Sequence, residues 1–186
     1  ADVCATILHA WQYLQEHDPA GPKISLFNPR FEQHGWTSRH TAVLVLTHGI
    51  PFVAESLRLE LSRRGIVIHM LVSSDLCVER GAAHELRHIY PATVPPDGVR
   101  LAREALVYLE ISRISDAVLL AEIEQSLAGV IAEVTVVVED FEPMCARVRE
   151  LLAALPGCSQ GVPEPEWREN RALLEWLLEG NFTFLG

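Results

Sequence analysis

No C-x-x-C pair occurs among the four cysteines, Cys4, Cys77, Cys145 and Cys158, which lie scattered along the chain. Dithiol and metal-clip chemistry of that pattern is excluded, and reduced thiols, some of them buried, are expected. Positive charge is in short supply: 15 Lys and Arg stand against 25 Asp and Glu, a formal net charge of −10. Nucleic acid demands a basic face and an anionic membrane surface attracts one, so neither partner is expected. No apolar run reaches the roughly 18 residues that a membrane span needs. Ala1 to Trp11 has no basic n-region and reads as an amphipathic helix, which makes the cytoplasm the expected compartment. G-x-G-x-x-G, G-x-x-x-x-G-K-[ST] and G-x-S-x-G are missing, and with them the dinucleotide, phosphate-loop and serine-hydrolase signatures. Internal repeats and low-complexity segments are missing as well.

What is present is enough for one ordinary domain, or for a small domain with appended helices. A chain of 186 residues buries roughly 70% of its unfolded surface and needs no covalent staple. Val3, Ile7, Leu8, Trp11 and Leu14 have helical spacing over 3–15, and Asp18-Pro19-Ala20-Gly21-Pro22 ends that helix. Ile24 to Phe27 is a short strand candidate. Thr41 to Leu46 is a β-branched apolar run closed by the turn Thr47-His48-Gly49, which predicts a buried strand over 41–47. Pro51 then opens a helix over 51–64, because its missing N–H costs nothing at that position. Arg63 and Arg64 suit the last turn and Gly65 stops it.

Further strands are predicted at 66–72, 105–111 and 134–138, with a helix over 116–131 capped by Ser115. The segment Leu76 to Ile89 is ambiguous, and Pro91, Pro95, Pro96 and Gly98 make the following stretch a loop. Two more helices are expected at 142–155 and 166–179. The order strand, helix, strand, strand, helix, strand is the ferredoxin-like arrangement, an α+β fold with both helices on one face of an antiparallel sheet. The expected organisation is an N-terminal helix and short strand over 1–35, the β-α-β-β-α-β domain over 36–140 and a helical linker over 141–180. Residues 181–186 read as the start of a further domain. The start at Ala1 and the apolar end at Phe182 to Gly186 mark the chain as a piece of a longer protein.

The strands at 41–46 and 134–138 are apolar on both faces, so the face opposite the two helices needs a cover. The appended helices should supply part of it, and self-association, as a dimer, should supply the rest.

One catalytic pattern occurs. His84-Glu85-Leu86-Arg87-His88 matches H-E-x-x-H, which on a helix would let His84 and His88 share a zinc with Glu85 as general base. That helix would have to fit between Gly81 and Pro91, and the rival reading is a solvated hairpin or loop. A small zinc hydrolase is therefore an alternative function, and a stand-alone small-molecule sensor another. A different kind of site is offered by Thr47, His48, Gly49, Ile50, Pro51 and Phe52, where a strand runs into a helix. Backbone N–H groups at the helix start face outward there and suit a carboxylate or another anion.

Several stretches resemble one family in the same order along the chain. They are Phe27-Asn28-Pro29, His34-Gly35-Trp36-Thr37-Ser38-Arg39-His40-Thr41 and Ile50-Pro51-Phe52-Val53-Ala54-Glu55-Ser56-Leu57. Arg64-Gly65-Ile66-Val67-Ile68-His69, Tyr108-Leu109-Glu110-Ile111 with Ser115-Asp116, and Val138-Glu139-Asp140-Phe141 with Met144 continue the series, which ends on Asn181 to Gly186. Together they resemble the N-terminal, ACT-like regulatory region of the large bacterial NAD-dependent glutamate dehydrogenases. The resemblance implies a regulatory and assembly domain with no catalytic residue and no cofactor of its own. NAD and glutamate would be bound downstream in the parent chain, whose later domains are the implied partners. It also implies an amino-acid effector near the first strand–helix loop and a homo-oligomer. Amino-acid-binding ACT domains usually have Gly where Phe52 stands, so Phe52 is expected to crowd the ligand and binding to be weak.

Overall fold

The computed structural model describes residues 3–91, 101–155 and 163–186. The chain divides into two compact units, residues 1–132 and 133–186. The loop expected through Pro95, Pro96 and Gly98 and the thiol of Cys158 lie outside the described residues.

The first unit opens with helix α1 (Val3–Leu14), strand β1 (Lys23–Phe27) and a single helical turn, α2 (Phe31–His34). Strand β2 (His40–His48), helix α3 (Val53–Arg63) and strand β3 (Ile68–Arg80) follow. Strands β4 (Leu86–Tyr90) and β5 (Ala102–Ser112) complete an antiparallel sheet in the order β1-β2-β5-β3-β4. Helix α4 (Ala117–Ala154) begins here and continues into the second unit.

The ferredoxin-like arrangement is present, with one strand exchanged. β2, α3 and β3 form a split β-α-β unit with β5 between the two strands. The predicted fourth strand at 134–138 is instead helical, inside α4. Its place beside β2 is taken by β1, from the other end of the domain, with Ser25 opposite Leu44 and Phe27 opposite Ala42. The run Val134 to Val138 has strand-forming side chains, but no turn residue separates it from the helix before it, and β1 already fills the only position beside β2. Helix propensities differ by only tenths of a kcal/mol per residue, so tertiary context overrides them.

Alternation along the strands sorts side chains to two faces. Val43 and Val45 of β2 and Val107, Leu109 and Ile111 of β5 point to the front, where Leu57 and Leu61 of α3 and Ile123, Leu127 and Ile131 of α4 cover them. Both helices thus lie on one face, as the pattern predicts. A buried carboxylate ties them together. Glu60 of α3 accepts hydrogen bonds from Ser126 of α4 and from Arg63 and Arg64. Those bonds outweigh the effect of burial and lower its pKa to about 2. On the back face Ala42, Leu44 and Tyr108 meet Ala10 and Tyr13 of α1, so an appended helix does cover part of the sheet.

A polar clip closes the end of the sheet at the start of β2. The buried Thr41 hydroxyl donates to Asn28 Oδ1 and accepts the Ile114 N–H, both at 2.9 Å. Asn28 Nδ2 returns a bond to the Ile114 carbonyl at 2.8 Å.

The second unit holds the rest of α4, with Pro143 inside it, helix α5 (Glu164–Trp176) and a π-helical turn at Leu177–Asn181. Residues 182–186 form no strand. The helices expected at 142–155 and 166–179 are present, the first as the continuation of α4. Among the described residues no helix is long and apolar enough to cross a membrane. Cys4, Cys77 and Cys145 are free thiols.

Candidate effector site

The β2–α3 connection is held close to β5 by its backbone. The Gly49 N–H donates to the Arg103 carbonyl at 2.9 Å, and the Ile50 N–H turns back to the His48 carbonyl at 2.9 Å. A Cβ on Gly49 would stand 3.0 Å from Arg103 Cβ and 3.1 Å from its carbonyl carbon, so any other residue would have to push β5 back by a few tenths of an ångström. Thr47 is buried at the end of β2, and His48 Nε2 lies 3.0 Å from the Pro19 carbonyl oxygen.

Phe52 begins α3 in the left-handed conformation, at φ 70° and ψ 1°. That backbone requirement is a physical reason for glycine at such a position. Here the strain is borne by a Phe whose ring stands 65% exposed. The Ser56 N–H makes the first helical bond, to the Phe52 carbonyl, and no side chain caps the helix. The N–H groups of the first turn therefore have no helical acceptor.

Beside this loop lies a cavity of about 370 Å³ lined by Gly49, Ile50, Pro51, Asp75, Cys77 and Arg103, with Leu76 and Glu104 completing the wall. Its volume is within the range of small-molecule sites. Strand register sets Cys77 opposite Arg103 and Asp75 opposite Ala105, all on the helix side of the sheet. The cavity thus carries an exposed carboxylate and an exposed guanidinium at the loop that leads into α3. Of the six loop residues singled out from sequence, Gly49, Ile50 and Pro51 line it, whereas Thr47, His48 and Phe52 do not. Asp75 and Arg103 are missed by the sequence reading because the predicted strands stop short of them. Extending the alternation of Ala105, Val107 and Leu109 back by one step reaches Arg103.

Glu104, the next residue of β5, turns its carboxylate to the other face. Arg80 grips it through Nε and Nη2 at 2.6 and 2.7 Å, and buried His17 places Nδ1 3.2 Å from Oε1. Burial alone would raise the Glu104 pKa; the bonds from Arg80 and His17 outweigh it and lower the value to about 2. Arg80 also donates to the Leu14 carbonyl at the end of α1.

The zinc alternative fails on geometry. His84 sits in a turn at φ 63°, and His88 lies on β4 opposite Glu79 with its ring against Tyr90. Glu85 spends its carboxylate on the Ala83 N–H and on Arg87. Helical i, i+4 spacing would put both imidazoles on one face, and there is no helix here. Among the described residues no group of three His, Cys, Asp or Glu is placed to hold a metal.

The glutamate dehydrogenase ACT1 domain family matches residues 1–127. The chain belongs to that family. Over all 186 residues it is 44% identical to the NAD-specific glutamate dehydrogenase of Pseudomonas aeruginosa and 39% identical to that of Halomonas elongata. The NAD-specific glutamate dehydrogenase of Mycobacterium tuberculosis is 31% identical over 147 residues, 77% of this chain and 9% of the relative. The chain spans 11% of the length of the first two relatives. The family match takes in α1, β1 and the whole sheet, so the strand exchange lies inside the ACT1 domain. Within the ACT1 domain the cavity stands at the first strand–helix loop of the β-α-β-β unit.

Proposed function

We propose that this ACT1 domain is a regulatory and assembly module of a large NAD-specific glutamate dehydrogenase, and that its β2–α3 cavity takes a free amino acid. The catalytic chemistry, with NAD as oxidant and L-glutamate as substrate, belongs to later domains of the parent chain. The cytoplasm, where NAD and glutamate are at hand, is the fitting compartment. The ACT1 piece would act through assembly with those domains and with further copies of itself.

The observation that carries the effector reading is that Asp75 and Arg103, of opposite charge, line one cavity at the loop leading into the uncapped start of α3. A zwitterion complements that arrangement. Its carboxylate faces Arg103 and the start of α3, where a fork of donors and the helix dipole favour negative charge. Its ammonium faces Asp75. Gly49 keeps the loop low enough for the backbone to take part. Phe52, exposed and outside the lining, leaves the cavity clear.

Titration calorimetry of the chain with a panel of amino acids tests the reading. Binding of at least one member is expected, abolished by Arg103→Ala and by Asp75→Ala. No heat with any amino acid, or binding indifferent to both substitutions, overturns the site.

A further inference from the structure

An aromatic box fastens the N-terminal half of α1. His9, half-buried, stands between Phe27 of β1 and Trp36, with ring centroids 4.9 and 5.4 Å away. His34 of α2 closes the box: it stacks on Phe27 at 4.5 Å and meets the His9 ring edge-on at 5.4 Å. Trp36 is buried at the centre. Beyond the box this half of the helix holds on weakly. Ala10 packs on the back of the sheet and Thr6 reaches Tyr108, but Val3, Ile7, Leu8 and Trp11 are all exposed.

The other end of α1 is fastened independently, by hydrogen bonds. The Tyr13 hydroxyl donates to the Leu44 carbonyl. Lys23 Nζ donates to the Tyr13 carbonyl at 2.7 Å and Arg80 Nη2 to the Leu14 carbonyl at 3.1 Å. Loss of the box would therefore free one half of the helix and leave the other in place. A helix of 12 residues is marginal in water without tertiary support, so a freed half frays.

The box is built for neutral imidazoles. The Arg30 N–H donates to His34 Nδ1 at 3.0 Å, so that nitrogen carries no hydrogen and serves as the acceptor for the amide that opens α2. A proton placed there would take the acceptor away. No carboxylate stands by to receive a cation. β1 presents Phe27, and the stretch after α2 presents Trp36, whose Nε1 is itself buried without a partner. Arg30 and Glu32, the charged residues of the α2 turn, are exposed. α1 has no Asp, Glu, Lys or Arg; its other titratable groups are Cys4, exposed, and Tyr13, bonded to Leu44. Burial holds the His9 pKa below the usual 6.5, and the neighbouring His34 adds to the effect.

We infer that His9 and His34 form an acid-release latch: a proton taken up in the box frees the N-terminal half of α1 from the sheet while Tyr13 and Leu14 stay fastened. The sign follows from linkage. The folded chain holds a proton at His9 less well than the unfolded chain does, so the contribution of the box is complete above about 6.5 and is lost as pH falls below it. Glu60 and Glu104 keep their charge down to about 2, so the helix half lets go while these core carboxylates still hold. Release uncovers part of the apolar back face, where Ala10 meets Ala42, Leu44 and Tyr108. The latch is independent of the effector cavity. Its meaning for the parent enzyme, a changed surface for assembly on acidification, rests on the assembly role proposed above.

Hydrogen exchange of the whole chain, read by mass spectrometry and corrected for the intrinsic effect of pH, tests the latch. Protection of residues 3–11 should fall between about pH 7.5 and about pH 5, by at most about tenfold per pH unit for one proton. Protection of β2 and β5 should stay level over the same range. His9→Phe keeps a ring in the box and removes the proton, and its α1 should stay protected throughout. His88→Ala, exposed on β4 and outside the box, should lose protection as the unaltered chain does. Protection of residues 3–11 that ignores pH overturns the inference, and so does a loss just as large in His9→Phe. Where His9→Phe fails to fold or leaves α1 unprotected at every pH, the imidazole of His9 in the unaltered chain decides by nuclear magnetic resonance. A titration midpoint below 6.5 is expected, and one at or above 6.5 overturns the latch. Amino-acid titration is a separate readout: a chain with a pH-independent α1 that still binds an amino acid loses the latch and keeps the effector site, and a latched chain that binds none does the reverse.

Discussion

Arg80 holds Glu104 through two parallel N–H donors, at 2.6 and 2.7 Å, in a site where the carboxylate is almost wholly buried. The pair joins β3 to β5, and through the Leu14 carbonyl and His17 it fixes the end of α1. Removing one partner of a buried ion pair strands the other, at a cost of about 3–5 kcal/mol. Arg80→Ala should therefore lower the unfolding free energy by about that much in urea titration. A loss below about 1 kcal/mol, the range of exposed pairs, would show that the pair contributes little.

Acid should destabilise the fold in a defined window. Glu60 and Glu104 both titrate at about 2 in the folded chain, against 4.5 for a free glutamate. A depressed folded value means that the unfolded chain binds protons first as pH falls. Their stabilisation is complete above about 4.5 and is lost progressively as pH drops towards about 2. Glu104→Gln should be less stable than the unaltered chain at neutral pH and should show a shallower fall through that window. Equal slopes for both proteins would remove Glu104 as a source of the acid response.

The two buttressed glycines should behave differently. At Gly49 an added Cβ meets the backbone of Arg103, which is locked in the sheet, so Gly49→Ala should cost about 1–3 kcal/mol. It should also displace the loop and weaken amino-acid binding. At Gly81 the obstacle is the flexible end of Glu85, which can swing away. Gly81→Ala should stay within about 1 kcal/mol. Thermal melts of the two variants side by side check the contrast.

Phe52→Gly should stabilise the chain by about 1 kcal/mol, by relieving a left-handed conformation at a residue that buries little. The melting temperature should rise while amino-acid affinity stays unchanged, since the ring does not line the cavity. A fall in melting temperature would mean that Phe52 packs more than its exposure indicates.

Thr41→Val keeps the shape of a buried side chain and deletes its hydroxyl. The Ile114 N–H and Asn28 Oδ1 then lose partners at 2.9 Å, and a loss of about 1–3 kcal/mol is expected. Thr41→Ser should recover part of it, because it restores the hydroxyl.

The sequence by itself determined the elements whose local signals agree with their surroundings. The β-branched run ending at Thr47-His48-Gly49 is β2, Pro51 and Gly65 bracket α3, and Ile24 to Phe27 is a strand. Helical spacing at Leu57, Leu61, Ile123 and Leu127 also determined that two helices share one sheet face. Tertiary structure alone decided the rest. Val134 to Val138 has the side chains of a strand, yet β1 holds the place beside β2 where the fourth strand of the ferredoxin-like order would pair, and the run is helical. His84 and His88 have the spacing of zinc ligands only if the backbone is helical, and pairing of β4 with β3 makes it extended. Asp75 and Arg103 are far apart along the chain, and only the register of β3 with β5 brings them to one cavity. Periodicity reports what a segment would bury, whereas pairing partners, and the sites formed between them, depend on which segments compete for the same edge.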